Sequence, residues 1–402
     1  NLAPYWQARA GESSFVDAVT PQGRVCDQDL APRPIDAPDF SALFNYGYHL
    51  DAGKFAGLLQ RHCTERLGVS HVLDHVTAVN GATDGDIDSI STAKHGKIHG
   101  DLFIDCTGLK ALLLNGHYGI DFVDCRDVLF NDSALAVQVP YRSVTDPVAS
   151  QTISTAQEAG WTWDIGLSSR RGVGYTWSSA HADDEAAHRV LETYVAATAA
   201  VPWDELNPRK IDFRPGHREK FWHRNCVAIG MSAGFLEPLE ASALVLIELA
   251  GRMIAEELPA TRATMDTVAN RFNQTFRYRW ERIIDFLKLH YVLSERSDSA
   301  YWVDHRDPSS IPAALQNMLA LWRERAPWHS DFPQRDEVFS SASYQYVLYG
   351  MGFGPGATAR KQRRDRTAEA DALFEETAHR ARQQLGQLPS NRDILKYIEQ
   401  RA

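Results

Sequence analysis

FWHRNCVAIGMSAGFLEPLEASALVLIELAGRMIAEE, residues 221–257, is the stretch whose reading decides the fold. Its apolar run Cys226-Val227-Ala228-Ile229 stops at Gly230, the signature of a short buried strand. Ser232-Ala233-Gly234 follows, a turn with too little bulk to keep another backbone or a ligand away. Pro238 suits a helix start, and Ala243, Leu246, Ile247, Ala250, Met253 and Ile254 recur at helical spacing. A buried strand feeding a small-residue turn and a helix N-terminus predicts an anion or cofactor site at the end of a sheet. Glu237 and Glu240 fall near the positive end of that helix, where simple capping would also explain them.

Outward from this centre, the sequence alternates between strand and helix patterns. Asp51–Arg66 reads as a helix capped by Asp51, with Phe55, Leu58, Leu59 and Cys63 on one face. Three alternating segments, 71–80, 86–93 and 97–104, are joined by turn residues and predict a small β-meander. The last segment runs into Asp105-Cys106-Thr107-Gly108, where Thr107 and Gly108 can turn backbone N–H groups toward a cofactor, as can Gly230. Segments 132–141 and 160–179 predict an antiparallel sheet with its hairpin at 168–174. Residues 183–197 form a helix, and 209–230 return to strand. From Thr261 the pattern is helical to the end, broken near 303–312 and 327–343, with a solvated helix over 356–386. The proline-bearing residues 1–40 are expected to be mostly irregular. These patterns describe an α/β (α+β) fold, divided into a strand-rich module, 1–260, and a helical subdomain, 261–402.

Composition narrows the classes of function. A net charge of −10 argues against nucleic acid or an anionic membrane surface as partner. No run of 18 apolar residues is long enough to span a bilayer, and no signal peptide opens the sequence. Five scattered cysteines lack metal-ligand spacing, and no metal site is expected; the reading is a reduced, cytoplasmic protein. Ten tryptophans suit either an aromatic-lined cavity or a large core.

GFLEPLEASA, residues 234–243, resembles the GFLEPLEST(G) segment of the flavin-dependent halogenases, the tryptophan halogenase family. The family's W-x-W-x-I-P signature has a near match in Trp161-Thr162-Trp163-Asp164-Ile165-Gly166, with glycine in place of proline. Further similar stretches are 48–63, 100–114, 135–141, 213–230 and 281–291, in the family's order, while the last hundred residues match only near 343–355.

The resemblance implies an FAD-binding module of the p-hydroxybenzoate hydroxylase type with a helical C-terminal subdomain. It implies FADH₂ delivered by a separate flavin reductase, chloride or bromide as co-substrate, and electrophilic halogenation of an indole, tryptophan-like or other electron-rich aromatic. Glu240 takes the place of the family's catalytic glutamate. Ser242 and Ala243 stand where backbone N–H groups hold halide, with alanine replacing the usual glycine. Met231 and Leu244 match flavin contacts and Val76 a position at the adenosine end. Trp161 and Trp163, on alternate strand positions, match a wall between flavin and substrate, and Ile165, Phe235 and Pro238 join them as substrate and tunnel candidates. A homodimer is the expected assembly.

Two family features are missing from the sequence: the G-x-G-x-x-G turn that cradles the flavin pyrophosphate, and the catalytic lysine, both expected before the region matching Asn1. The expectation is therefore the larger C-terminal part of such an enzyme. The alternatives are an FAD-dependent aromatic monooxygenase, which needs neither halide nor lysine, and a catalytically inactive scaffold. His49 is read as a surface or capping histidine, and Arg214, His217, Arg218 and Lys220 as a solvated or salt-bridged cluster. Tyr344, Tyr346, Tyr349 and Phe353 suit a substrate pocket or helix packing equally.

Overall fold

The computed structural model describes residues 1–401 apart from 10, 42 and 355–364. The predicted helix over 356–386 therefore lies partly outside the described residues; its second half is helical, as given below. The chain opens on three short helices, α1 (Ala3–Ala8), α2 (Phe15–Val19) and α3 (Gln22–Asp27), where an irregular segment was expected. The prolines punctuate these helices instead of forbidding them. Pro4 occupies the first turn of α1, where its missing N–H is no loss, and Pro21 directly precedes α3. Ser14 caps α2 by accepting from the Asp17 N–H at 3.2 Å.

Helix α4 (Ala52–Arg66) is capped by Asp51 as expected, at 3.1 Å from the Lys54 N–H, yet none of its residues is buried. Strands β1 (Val76–Gly81), β2 (Ile87–Thr92) and β3 (Gly96–His99) form the antiparallel meander, in that order. The third predicted strand breaks in two. At Gly100 the chain turns away, and β4 (Phe103–Asp105) joins a different sheet. Periodicity alone could not show this break, because both pieces continue the same alternation.

Next come β5 (Phe122–Asp124), β6 (Ser133–Pro140), β7 (Ile153–Gln157), β8 (Gly160–Gly166) and β9 (Arg170–Trp177). Helix α5 (Asp184–Ala196) precedes β10 (Arg209–Asp212), and the expected antiparallel sheet has the order β10-β6-β9-β8-β7. Alternation divides its two faces. Val173, Tyr175 and Trp177 of β9 point to one side and pack with Leu135, Val137, Val139 and α5. Trp161 and Trp163 of β8 face the other.

The strand expected over 209–230 is several short ones, β10 followed by β11 (Gly216–Arg218), β12 (Trp222–His223) and β13 (Cys226–Ala228), with β14 (Gly234–Phe235) after them. Strand β13 pairs in parallel with β4, Val227 opposite Ile104, and antiparallel with β12. Here too lies the basic cluster read as solvated or salt-bridged; Arg214 does pair with Asp124, at 2.8 Å, but half of the cluster is buried. Arg218 donates to Asn115 Oδ1 at 2.9 Å and to the carbonyls of Ile120 and Leu109, and His217 is buried too.

The rest is helical: α6 (Ser242–Glu256), α7 (Arg262–Leu293), α8 (Ala300–Asp304), α9 (Ala313–Glu324), α10 (Ser341–Gly350), α11 (Thr367–Leu385) and α12 (Asn391–Glu399). Tyr344, Tyr349 and Phe353 are packed into a core with Trp6, Phe15, Phe286 and Trp322, so helix packing accounts for them. The first two helices thus lie against the C-terminal ones. Among the described residues no helix is long and apolar enough to cross a membrane.

Long α7 is the spine between the cores. Over Ile283–Leu289 every residue is buried, so even its polar members need internal partners. Lys288 sends its ammonium to Ser310 Oγ and His305 Nδ1, each at 2.9 Å, and over the Phe130 ring at 4.8 Å. Burial lowers its pKa from 10.5 to about 7. Between those two values the unfolded chain carries a proton that the folded one lacks, so stability rises with pH across that window and the full penalty applies below it. Lys288→Met should remove this dependence. Urea unfolding at several values across the window should show the wild type gaining up to about 1 kcal/mol per pH unit relative to the variant.

Candidate active site

Two turns meet where the parallel strands β4 and β13 end. After β4 the chain passes Thr107 into a 3₁₀ turn, Gly108–Lys110; after β13 it enters another, Gly230–Ser232. Both begin on a glycine in the left-handed region, Gly108 at φ 72° and Gly230 at φ 65°, where an L side chain would be strained. Ile247 of α6 lies against Gly230, 3.4 Å from where a β-carbon would stand. Buried Asp105 pins the first turn. One carboxylate oxygen accepts from the Thr107 N–H and hydroxyl, at 3.0 and 2.6 Å, and the other from the N–H groups of Leu113 and Leu114, both at 2.9 Å. Ser232 Oγ, in the second turn, reaches the first of these oxygens at 3.3 Å. One carboxylate therefore holds both turns together, a role the sequence reading did not give it.

Around these turns Leu109, Leu112, Met231, Leu244 and Ile247 are exposed. Val76, at the start of β1, is half-buried and Thr107 is exposed.

From Gly234 the chain runs through β14 into Glu237-Pro238-Leu239-Glu240. Leu239–Ala241 make a 3₁₀ turn, and α6 starts only at Ser242, later than periodicity suggested. The delay has a cause in the backbone. Glu240 (φ 63°) and Ala241 (φ 47°) are both left-handed, a conformation costing roughly 1–2 kcal/mol for each L residue. Ala243 has ordinary helical backbone, so its missing glycine is no obstacle there. Ala241, the N-cap of α6, offers no side-chain cap, so the first-turn N–H groups at Ser242 and Ala243 are left for another acceptor.

The Glu240 carboxylate reaches His290 Nε2 at 3.1 Å, while His290 Nδ1 lies 2.9 Å from the Phe286 carbonyl. Each ring nitrogen of His290 thus faces an oxygen acceptor. Glu240 stays partly exposed, with 39% of its side chain accessible, and can meet a ligand as well as His290.

Three residues away, Glu237 is wholly buried. Trp161 Nε1 donates to it at 2.7 Å, Tyr291 Oη at 2.6 Å, and Asn131 Nδ2 also donates. Burial raises its pKa, against the pull of these donors. Trp161 and Trp163 stand edge to face with centroids 6.1 Å apart, and the Trp163 indole fills the space beside Gly174 of the next strand that a β-carbon would need. Ile165 and Phe235 are half-buried and Pro238 is exposed. His49 approaches the Gly166 carbonyl at 3.2 Å, at the end of β8. Among the described residues no group of His, Cys, Asp and Glu could hold a metal.

The strands β4 and β13 with their two glycine turns, followed by an uncapped helix and a helical region, define an FAD-binding enzyme of mixed α/β fold: a flavin-dependent halogenase. The chain belongs to the tryptophan halogenase family, whose model matches residues 1–366. The 7-chloro-L-tryptophan 6-halogenase KtzR of a Kutzneria strain is 34% identical over 93% of this chain and 72% of its own length. Tryptophan 7-halogenase RebH of Lentzea aerocolonigenes is 31% identical over 98% of this chain and 76% of its own. Among solved structures, a tryptophan halogenase from Shewanella frigidimarina superposes with a TM-score of 0.95 at 46% identity, covering 100% of this chain and 76% of that one. Enzymes of this family use reduced FAD and halide, and act on aromatic substrates with a separate flavin reductase.

Proposed function

We propose that this protein halogenates the indole ring of tryptophan or a closely similar aromatic, with Glu240 as the carboxylate that meets the substrate. The observation that carries this reading is the pairing of Glu240 with His290 directly ahead of the uncapped α6 N-terminus. A partly exposed carboxylate beside an anion-binding helix end suits an electrophilic substitution better than a simple cap. The relatives point the same way: KtzR and RebH are named for tryptophan and chlorotryptophan substrates.

The surface at the two turns fits a flavin. Its apolar side chains, Leu109, Leu112, Met231, Leu244 and Ile247, suit a planar ring system, and Gly108 and Gly230 let a ring approach the backbone. Thr107, Gly108, Gly230, Met231 and Leu244 would hold its ring end and Val76 its adenosine end. Reduced FAD supplies the electrons with which O₂ becomes the oxidant of halide.

The chain's own residues do the rest. The N–H groups of Ser242 and Ala243 hold halide at the positive end of α6. Trp161 and Trp163, with Ile165, Phe235 and Pro238 nearby, form the wall that keeps the substrate apart from the oxidation. Oxidised halide is hypohalous acid; as its halogen bonds to a ring carbon, the halogen–oxygen bond breaks, hydroxide leaves with that electron pair, and the ring becomes cationic, a charge that Glu240 stabilises. The ring C–H bond then breaks, its electrons restore aromaticity, and the proton leaves toward Glu240. His290 fixes the carboxylate's direction throughout. The lysine of the family mechanism is assigned to no residue of this sequence: Lys288 is buried against His305, and Lys54 and Lys110 lie on α4 and after β4.

The test is to supply the protein with FAD, a flavin reductase, NADH, bromide and tryptophan in air, and to look by mass spectrometry for the bromine isotope doublet on the indole. Omitting bromide should abolish the product. A hydroxylated product without halogen would replace this reading with that of a monooxygenase.

A further inference from the structure

Glu237 is an ionisable group that the reading above leaves unused, and its surroundings are unusual. Its carboxylate is fully enclosed, and among the described residues no Arg or Lys is bonded to it and its donors are all neutral. A lone buried charge disfavours folding unless such donors are fixed in place. These donors come from separate parts of the fold: Trp161 from β8, Tyr291 from α7, and Asn131 from the segment entering β6. Asn131 is itself held from α8, where Tyr301 Oη donates to its Oδ1 at 3.0 Å. Asn131 Nδ2 also lies 3.3 Å from Tyr291 Oη, which closes the ring of contacts.

The position along the chain gives this node its meaning. Tyr291, which holds Glu237, directly follows His290, which holds Glu240, so neighbouring residues of one helix grip both acids of the Glu-Pro-Leu-Glu turn. Between the turn and α6 stand the two left-handed residues, Glu240 and Ala241, which persist only if both ends of the segment are fixed. On the other side, Trp161 ties the same carboxylate to the tryptophan wall.

We propose that Glu237 is a positioning residue: it locks the 237–242 turn to Trp161 and Tyr291, so that Glu240, the start of α6 and the tryptophan wall keep one fixed relation. It touches neither substrate nor halide. The proposal rests on the reading of Glu240 given above, and its test separates the two.

The test compares Glu237→Gln, Tyr291→Phe and Glu240→Gln by hydrogen–deuterium exchange and by steady-state halogenation. Trp161 and Asn131 can only donate and share one carboxylate oxygen, so the amide of Gln must keep its oxygen there and turn its NH₂ to Tyr291, whose hydroxyl has to reverse from donor to acceptor. Exchange over 238–244 in Glu237→Gln should rise at least tenfold while the ends of α6 and α7 keep wild-type protection. Halogenation kcat should fall at least tenfold with the tryptophan KM little changed, and in ¹⁵N spectra the Trp161 indole N–H, identified through Trp161→Phe, should shift. Tyr291→Phe removes one hydroxyl and leaves the carboxylate, and should give the same pattern in milder form; it carries the test alone if Glu237→Gln does not fold. Wild-type exchange in the turn, or faster exchange spread evenly over α6 and α7, would overturn the proposal. If Glu240→Gln halogenates like the wild type while Glu237→Gln still loosens the turn, the positioning role stands and the role given to Glu240 falls.

Discussion

Glu240→Gln should halogenate at about 10²–10³-fold lower kcat, the size of effect seen when one preorganised electrostatic group is lost from an active site. The substitution keeps the side chain's length and can still bond His290, at 3.1 Å in the wild type, so the turn should keep its shape. It removes what the proposed reading makes the negative charge that faces the ring as it becomes cationic and the base that receives the proton. An interaction made only in the transition state lowers kcat and leaves the substrate KM nearly unchanged. In the proposed reading Ser242 and Ala243 hold halide through backbone groups, so halide oxidation should continue. Oxygen uptake should therefore stay near wild type while halogenated product disappears, and hypohalous acid should accumulate. An oxygen electrode and product analysis on the same sample decide the matter. If both rates fell together, Glu240 would instead be needed for the oxidation or the fold.

Gly174→Ala should destabilise the protein by about 3 kcal/mol or more, as overpacking does where nothing can yield. A β-carbon there would stand 2.0 Å from Trp163 Cζ2 and 2.5 Å from the Leu135 carbonyl oxygen. Strand β9 cannot move aside, because it is paired along its length with β6 on one side and β8 on the other. The Trp163 indole must therefore leave the place it occupies across the sheet. Gly172→Ala, two residues earlier on the same face, is the internal control. Its β-carbon meets only the end of the Arg170 side chain at 4.0 Å, and it should change stability by no more than about 0.5 kcal/mol. Urea unfolding of the pair measures the difference. If Trp163 forms the proposed wall beside the substrate, any folded Gly174→Ala protein should also lose discrimination among indoles.

Much of the architecture was legible because it rests on local signals. The run Cys226–Ile229 ending at Gly230 gave a buried strand and its turn, and Asp51 announced its helix by capping it. The alternation of 160–166 put Trp161 and Trp163 on one face, where the structure has them in contact. Where the reading failed, one local pattern was compatible with two structures. Alternation through 97–104 does not reveal that Gly100 sends β4 to another sheet, and prolines in the first 40 residues mark helix starts as readily as irregular chain. The amphipathic pattern of α4 gave the helix but could not say that its apolar side would be left open. Arg218 and His217 looked solvated because a charged residue's burial depends on partners far away in sequence.

By itself, the sequence determined which segments are strand and helix around residues 226–256, the small-residue turn between them, and the family motifs that go with flavin and halide. Those features depend on side-chain type and on spacing within a few residues, which any stretch of chain carries with it. Only the tertiary structure decided that Asp105 ties two turns together, that His290 meets Glu240 across 50 residues, and that Trp161, Tyr291 and Asn131 converge on Glu237. The physical reason is that a buried polar group must find partners wherever the fold brings them, and no local pattern records which distant donor that will be.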